Sequence, residues 1–252
     1  MKAARWLPLL LALPLAATAQ DASAPHWRAA VEAEHSDLDN GYADWNAATL
    51  RLSRHWSRRQ LAELQLTRTR RFGLEDHELA AGGAVPLSDA LTASVQATWS
   101  PTYRVLPRAS LAGWLQYEFR PAWLLHGGLR HTDYRASDVN RASVMLEHYF
   151  GDWSVLAGLH AVHAFGQDTR TGELRATWYY GERSSVGAIA SAGREVVETG
   201  PGATALASVR SVALVGAHAL DARWTLRWGA HHVRQGDFYT RTGVSLGVQA
   251  HF

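Results

Sequence analysis

Apolar and polar residues alternate along most of this chain, and the final segment shows the pattern most clearly. From Val244 to Phe252 the even positions carry apolar side chains, whereas the odd positions carry small or polar ones such as Ser245 and Gln249. A period of two residues predicts a β-strand with one apolar and one polar face. One such strand fits many kinds of sheet, so its meaning depends on how often the pattern recurs.

Segments with the same alternation recur throughout the sequence, each about as long as a tilted strand that crosses a membrane. They comprise residues 27–37, 45–56, 60–71, 77–87, 90–100, 108–120, 122–133, 140–150, 153–165, 172–181, 184–196, 206–218, 222–234 and 239–252. This series predicts an all-β fold: a single antiparallel transmembrane β-barrel of about 14 strands, with about 12 or 16 as alternatives. The competing architecture is a soluble β-sandwich, which rarely needs so many strands of uniform length.

The connections between these segments are of two kinds. The short ones are residues 57–59, 88–89, 120–121, 151–152, 182–183 and 220–221. The longer ones are residues 38–44, 72–76, 101–107, 134–139, 166–171, 197–205 and 235–238. This asymmetry predicts short turns at the periplasmic rim and longer loops outside the cell. We expect no loop to fold back as a plug or constriction, so the lumen is either open or filled by its own side chains.

Aromatic residues lie near the predicted strand ends, which predicts two belts at the depth of the membrane interfaces. The periplasmic belt contains Trp27, Trp56, Phe119, Trp123, Phe150, Trp153, Trp178, Tyr180, Trp224 and Phe252. The outer belt contains Trp45, Phe72, Trp99, Tyr134, Phe165 and Tyr239.

The first residues have the composition of an export signal. Lys2 and Arg5 precede an apolar stretch over residues 6–15, and residues 17–19 offer a small-residue cleavage site. We predict a signal peptide over residues 1–19, a short periplasmic tail over 20–26 and an outer-membrane barrel over 27–252. The alternative is a retained anchor, but the apolar stretch is shorter than the roughly 20 residues that a membrane-spanning helix needs. The predicted location is the outer membrane of a Gram-negative cell.

Charge and cysteine content narrow the partners. The chain has 25 Lys+Arg and 23 Asp+Glu, and because Lys2 and Arg5 lie in the predicted signal, the exported chain is formally neutral. Neutrality gives no reason to expect nucleic acid as a partner. Without cysteine, a closed hydrogen-bonded barrel must replace disulfides as the source of stability. We expect outer-membrane lipid and the barrel-assembly machinery as partners, with Phe252 as the assembly signal, and a cell-surface or secreted polysaccharide as a further candidate.

Several short motifs occur in an order that resembles a known family. They are residues 40–46 (Asn-Gly-Tyr-Ala-Asp-Trp-Asn), 71–73 (Arg-Phe-Gly), 100–101 (Ser-Pro), 106–108 (Leu-Pro-Arg), 149–152 (Tyr-Phe-Gly-Asp) and 178–181 (Trp-Tyr-Tyr-Gly). Their order and spacing, from residue 27 to 252, are similar to the YaiO family of outer-membrane barrels. The resemblance implies an outer-membrane β-barrel. It implies no catalytic, cofactor-binding or metal-binding residue, because the matching motifs define none.

If the apolar face of each strand meets lipid, the polar face lines the lumen. The charged residues predicted to line it are Glu32, Glu34, Arg51, Glu63, Glu118, Arg130, Glu147, Arg175, Arg223, Arg227 and Arg241. Acidic residues concentrate in the first strands and arginines in the last, and these strands become neighbours when a barrel closes. We therefore predict an Arg–Glu ladder across the closing seam, which either holds the register or helps to select solutes.

The first functional hypothesis is a narrow porin-like conduit for small polar solutes or saccharides. The alternatives are a largely filled barrel whose loops meet a partner at the cell surface, and an outer-membrane hydrolase. For a hydrolase, His131, Asp133 and Ser137 supply the residue types of a catalytic triad, but His131 falls on the apolar register of its strand. Two histidine pairs are candidate metal ligands, His231 with His232 and His160 with His163. The two members of each pair point to opposite faces of their strand. We therefore expect no metal, cofactor or catalytic site.

Overall fold

The computed structural model describes residues 26–200 and 203–252. The predicted signal peptide over residues 1–19 and nearly all of the predicted tail lie outside the described residues. The strands are β1 His26–Leu38, β2 Trp45–Ser57, β3 Gln60–Arg71, β4 Leu74–Pro86, β5 Leu91–Trp99, β6 Ala109–Arg120, β7 Trp123–Asp133, β8 Asp138–Phe150, β9 Trp153–Ala164, β10 Gln167–Gly181, β11 Ser184–Gly200, β12 Ala203–Ala219, β13 Trp224–Gln235 and β14 Tyr239–His251. In the described part of the chain, no helix is long and apolar enough to cross a membrane.

The strands form one closed barrel in which each strand pairs antiparallel with the next, and β14 pairs with β1. The closing register places Arg28 opposite His251 and Leu38 opposite Arg241. The ladder of hydrogen bonds therefore continues around the whole barrel. Closure leaves no strand edge unpaired, as a lipid environment requires. The predicted antiparallel all-β barrel of 14 strands is confirmed.

The two ends of the barrel differ in their connections. The end that contains the first residue of β1 and the last residue of β14 has only short turns, such as residues 58–59 and 151–152. The opposite end has the longest connections, residues 39–44 and 100–108. Outer-membrane barrels keep their short turns on the periplasmic side. We therefore name the first end the periplasmic end and the second the outer end.

Some outer connections are shorter than the sequence pattern predicted. β4 and β10 begin earlier than expected, and β11 and β12 extend as far as Gly200 and Ala203. The predicted loops at residues 72–76, 166–171 and 197–205 are therefore wrong. Phe72 and Gly73 have φ of 52° and 77° in the turn between β3 and β4. Two successive residues of positive φ match the twist of a hairpin, so the strands can continue up to a very short turn.

The two faces of the barrel wall differ as the alternation predicted. On one face large apolar side chains remain exposed in mid-strand, with Leu129 at 69% and Leu246 at 60% exposure. On the other face the alternating residues are polar or small, and many are buried. Arg227 of β13 reaches Glu32 of β1, two strands away, on this second face. The apolar face therefore meets lipid and the polar face lines the interior.

Aromatic residues surround the periplasmic end on the lipid face, so the periplasmic belt is confirmed. The rings of Trp153 and Trp178 stack at 6.2 Å between centroids. The guanidinium of Arg54 lies 5.4 Å and 5.3 Å from the ring centroids of Trp27 and Trp56. These amphipathic groups suit the depth of the lipid headgroups.

The predicted outer belt is wrong for most of its members. Trp99 is exposed on the lipid face, but Trp45 and Tyr239 are each only 5% exposed and lie inside the barrel. Phe72 packs against the same interior group, and Phe165 lies in the turn between β9 and β10. A strand end can direct an aromatic ring either to lipid or to the interior, and here most of the rings point inward.

Candidate functional site in the barrel interior

Two ion pairs cross the closing seam of the barrel. Oε1 of Glu34 on β1 lies 3.5 Å from Nη1 of Arg241 on β14. Oε2 of Glu32 on β1 lies 3.9 Å from Nε of Arg227 on β13. These contacts form the Arg–Glu ladder that the sequence predicted at this seam. All four side chains are partly open to water, so each pair contributes less than about 1 kcal/mol. Their geometry fixes the register of β1 against the last strands.

Two glycines of β14 allow side chains of β1 and β13 to meet across it. A Cβ atom at Gly247 would lie 2.7 Å from the β1 backbone and 3.0 Å from Cβ of Glu32. A Cβ atom at Gly243 would overlap both Ser36 and His231. In the space that Gly243 leaves, Oγ of Ser36 and Nε2 of His231 form a hydrogen bond of 3.2 Å. The lack of a side chain at Gly243 and Gly247 therefore allows β1 and β13 to make contact across the seam.

The wall formed by β2 and β3 carries a charged group that water reaches. Nε of Arg51 lies 3.4 Å from Oε1 of Glu63, and Nη2 of Arg51 donates to Oε1 of Gln65 at 2.9 Å. The side chains of Arg51 and Glu63 are 29% and 23% exposed. The seam residues Arg227 and Glu32 are 31% and 33% exposed. Because these side chains face the interior, their exposed surface borders open space inside the barrel.

The wall formed by β7 to β10 is packed more tightly. Nη2 of Arg175 donates to Oε1 of Glu173 at 2.9 Å, with side-chain exposures of 11% and 8%. Oε2 of Glu147 lies 3.0 Å from Nε2 of His126, and this pair is also buried. The interior is therefore asymmetric, because the charged side chains of β1, β2, β3 and β13 are more exposed than those of this wall.

The remaining predicted lining residues lie at other levels. Nη2 of Arg130 on β7 donates to Oε1 of Gln96 on β5 at 3.1 Å, across the strand between them. Oε1 of Glu118 accepts the amide of Ala122 at 3.3 Å in the turn at the periplasmic end. Arg223 is exposed in the turn that precedes β13, so the structure places it at the periplasmic rim.

The turn at residues 220–223 has a local hydrogen-bond network of its own. Oδ1 of Asp221 accepts the amides of Trp224 and Arg223, each at 2.7 Å. These two donors hold the pKa of Asp221 below its ordinary value, because they stabilise the carboxylate. The guanidinium of Arg183 donates to the Asp221 carbonyl oxygen and ties this turn to the turn between β10 and β11.

A group of apolar residues, which we call the mouth cluster, lies inside the outer end. It consists of Leu38, Trp45, Val197, Ala207 and Tyr239. Val197 is fully shielded from water. The guanidinium groups of Arg71 and Arg241 lie 4.6 Å and 4.7 Å from the ring centroid of Trp45. Cation–π attraction of this kind fixes both charges beside the ring. The mouth cluster and its arginines therefore narrow the outer mouth.

Loop residues complete this constriction. Tyr42, from the loop at residues 39–44, packs edge-on against Phe72 at 5.6 Å and against Tyr239 at 6.2 Å between ring centroids. The expectation that no loop folds back to constrict the barrel is therefore wrong. It rested on loop length, whereas a single aromatic side chain from a short loop reaches the rings inside the outer end.

The longest connection, residues 100–108, is held by one buried carboxylate of β4. Oδ2 of Asp76 accepts the amides of Arg104, Val105 and Leu106 at 2.6 Å, 2.6 Å and 2.9 Å. Asp76 is completely buried, and Leu106 beside it is nearly so. This loop is therefore anchored over the rim at the outer end.

The sequence does indicate that two rings of the mouth cluster point inward, although the predicted outer belt placed them on the lipid face. Trp45 is an even number of positions from Arg51 on β2, and Tyr239 stands in the same relation to Arg241 on β14. Side chains separated by an even number along a strand share a face. Once the arginines were assigned to the interior, the two rings belonged there as well. The anchoring by Asp76 had no comparable local signal, because its partners lie in a distant loop.

The residues considered for catalysis do not form a triad. Nδ1 of His131 bonds Oδ1 of Asn140 at 2.9 Å on the lipid face. Oδ2 of Asp133 lies 3.7 Å from Nη1 of Arg108. Oγ of Ser137 is buried and has no hydrogen-bond partner in the described structure, so it is not bonded to His131.

Possible metal ligands in the described residues are limited to one exposed group. His35, Asp37 and Asp44 place ligand atoms within 4.8 Å of one another. They lie on the outer surface, and Nε2 of His35 already bonds Oδ1 of Asp37 at 3.2 Å. Of the histidine pair considered from the sequence, His231 bonds Ser36 inside the barrel and His232 bonds Thr242 outside.

Comparison with known proteins assigns the family. The family model described as the YaiO membrane beta barrel domain matches residues 27–195. The chain belongs to the YaiO family. The resemblance seen in the sequence is thus confirmed, with a match that includes β1 to β10 and most of β11. In this YaiO chain β12, β13 and β14 follow the matched region and complete the barrel. No curated protein matches the chain.

Solved structures with a similar fold are also outer-membrane barrels. Omp33 of Acinetobacter baumannii aligns with a TM-score of 0.54 at 11% identity, over 90% of this chain and 99% of that chain. The translocator domain of the autotransporter NalP from Neisseria meningitidis aligns with a TM-score of 0.50 at 11% identity, over 90% of this chain and 88% of that chain. The KdgM porin aligns at 0.48 and 12% identity, over 88% of this chain and 98% of that chain. These likenesses concern the fold alone. The family, together with the likeness to Omp33, places the YaiO chain in the outer membrane.

Proposed function

We propose that this barrel is a narrow passive conduit for small polar solutes across the outer membrane. One observation carries the proposal: Arg51, Glu63, Glu32 and Arg227 face the interior and remain 23–33% exposed to water. A filled barrel would bury these charges as deeply as Glu173 and Arg175. Paired charges inside a water-filled lumen attract and orient polar solutes and exclude apolar ones.

Small ions and saccharides are the solute classes that we propose. The interior offers guanidinium, carboxylate and amide groups, as in the contact between Arg51, Glu63 and Gln65. Such groups replace part of the hydration of a polar solute as it passes. The mouth cluster sets the size limit in this proposal, because its rings leave less space than the charged region below. Swelling of proteoliposomes in sugars of increasing size measures that limit.

Single-channel recording tests conduction directly. The folded protein, isolated from outer membranes and verified by heat-modifiable electrophoresis, is inserted into a planar bilayer in potassium chloride. We expect small, salt-dependent conductance steps. A silent bilayer with verified folded protein contradicts the proposal.

The variant Glu63→Gln tests whether the interior charges line the conducting path. It removes the counter-charge of Arg51, so the reversal potential in a salt gradient should shift toward chloride selectivity. The matched control is Glu75→Gln. Glu75 pairs with Arg68 at 2.7 Å on the lipid face, so its loss should leave selectivity unchanged. Equal reversal potentials for the two variants would place the conducting path away from Glu63.

The second candidate function is a largely filled barrel that acts through its outer surface, for example on a cell-surface polysaccharide. The burial of Val197 and Trp45 in the mouth cluster favours it, because this packing restricts the outer entrance. The same recording separates the two candidates, since a barrel closed at its mouth passes no current.

A further inference from the structure

Four arginines stand together on the lipid face of β10 to β13. They are Arg170 on β10, Arg194 on β11, Arg210 on β12 and Arg234 on β13. We call them the arginine patch. Each belongs to the exposed set that alternates with the buried inward residues of its strand. They therefore point away from the interior and outside the proposed conduit.

The register brings these arginines close to one another. Arg210 pairs directly with Arg234 across β12 and β13. Arg194 pairs with Ser208, the residue two positions before Arg210 on β12. Arg170 and Arg194 line one cavity of about 530 Å³ together with Leu206 and Asp168. The four cations thus form a continuous band across four strands.

Within the described residues, the patch has little neutralising charge. Among the described residues, no carboxylate oxygen lies within 4 Å of a side-chain nitrogen of Arg170, Arg194 or Arg210. Asp168, in the cavity, bonds Nδ1 of His163 at 2.8 Å instead. Like charges directly opposite each other on a sheet face are destabilising. Nη2 of Arg234 lies 3.7 Å from Oδ1 of Asp237, an exposed pair, so Arg170, Arg194 and Arg210 are the cations of the patch that a bound anion can neutralise.

The position of the arginine patch along the strands indicates the membrane depth at which the anion binds. Each of the four arginines lies about ten residues from the periplasmic end of its strand, and a membrane-spanning strand has roughly 9–11 residues. Toward the periplasm the lipid face becomes apolar, with Leu174, Val212 and Leu214 exposed. A charge on this face is destabilising at the midplane of the membrane and is tolerated at the interface. The patch therefore lies at the headgroups of the outer leaflet.

We propose that the arginine patch binds the phosphorylated headgroup of an outer-leaflet lipid, with its acyl chains along Leu174, Val212 and Leu214. Arginine suits this ligand because its planar guanidinium donates two parallel hydrogen bonds to a phosphate. The cavity beside Leu206 gives the headgroup a recess in the barrel wall. The site holds lipid whether or not the lumen conducts.

Native mass spectrometry of the folded full chain in detergent tests the proposal. The probes are lipid A carrying two phosphates and the same lipid after removal of its phosphates. We expect the phosphorylated form to remain bound and the dephosphorylated form to dissociate. Each arginine near an anionic lipid contributes about a factor of five. The double variant Arg194→Gln/Arg210→Gln should therefore bind the phosphorylated lipid roughly 30-fold more weakly.

The control is Arg54→Gln, which removes an exposed arginine of the lipid face at the periplasmic end. This variant should retain the phosphorylated lipid as the unmodified protein does, and heat-modifiable electrophoresis confirms that all variants are folded. Equal retention of both lipid forms, or equal losses in the double variant and the control, would overturn the proposal. Displacement of the lipid by millimolar inorganic phosphate would also overturn it, because the site would then recognise a free anion.

Discussion

At the scale of single residues, several charged groups of the interior are held by partners that are not opposite charges. Asp76 holds three successive amides of the loop at residues 100–108 with one oxygen atom. Arg71 and Arg241 share the ring of Trp45. Backbone dipoles stabilise the carboxylate of Asp76, and an aromatic face stabilises the two guanidinium groups. Buried charge without such partners would be costly.

Replacing Asp76 by alanine should release the loop at residues 100–108. Hydrogen bonds to a charged group contribute about 1.5–3 kcal/mol, and three amides lose their acceptor at once. We expect trypsin to cleave the folded variant at Arg104 or Arg108, with the barrel still assembled. The control is Asp89→Ala, in an exposed periplasmic turn. If both variants resist trypsin equally, Asp76 does not anchor the loop.

Single residues also show what the sequence could and could not predict. The alternating register assigned Glu32, Arg51 and Arg227 to the interior, and this requires only a period of two. It could not identify the partners of Asp76, because these bonds join residues about thirty positions apart through a loop without periodicity.

At the scale of elements, the hairpins were predictable in number but not in length. Alternation is visible where a strand crosses lipid, because one face must be apolar there. β11 and β12 continue beyond the membrane up to Gly200 and Ala203. In water neither face must be apolar, so the pattern fades while the backbone ladder continues. The predicted loop at residues 197–205 came from this loss of signal.

Gly247 tests the packing of β14 between its neighbours. A Cβ atom there would press on the β1 backbone and on Glu32, and overpacking of this kind costs about 1–3 kcal/mol. We expect Gly247→Ala to lower the urea concentration at which the folded barrel unfolds. Gly113→Ala is the control, since its added Cβ would meet nothing within 4 Å. Equal urea midpoints for the two variants would mean that the strands at the seam accept the added methyl group without loss of stability.

At the scale of the whole molecule, the barrel combines a partly exposed charged region with a buried, apolar outer mouth. The side chains of Arg51 and Glu63 are partly exposed in the interior, whereas Val197 and Trp45 in the mouth cluster are buried. The number of strands sets the width of the cylinder. The side chains at the mouth then decide how much of that width remains open. The open width at the mouth depends on the orientation of a few aromatic rings, which the number of strands does not determine.

The mouth cluster therefore makes a prediction about the conductance of the whole barrel. Trp45→Ala removes the ring that holds Arg71 and Arg241 in place and that packs against Phe72. We expect single-channel conductance to rise, because in the proposed conduit the mouth cluster sets the size limit. Trp99→Ala removes a ring of similar height from the lipid face and should leave conductance unchanged. An unchanged current in Trp45→Ala, in protein shown to be folded, would mean that the charged region below the mouth limits flow.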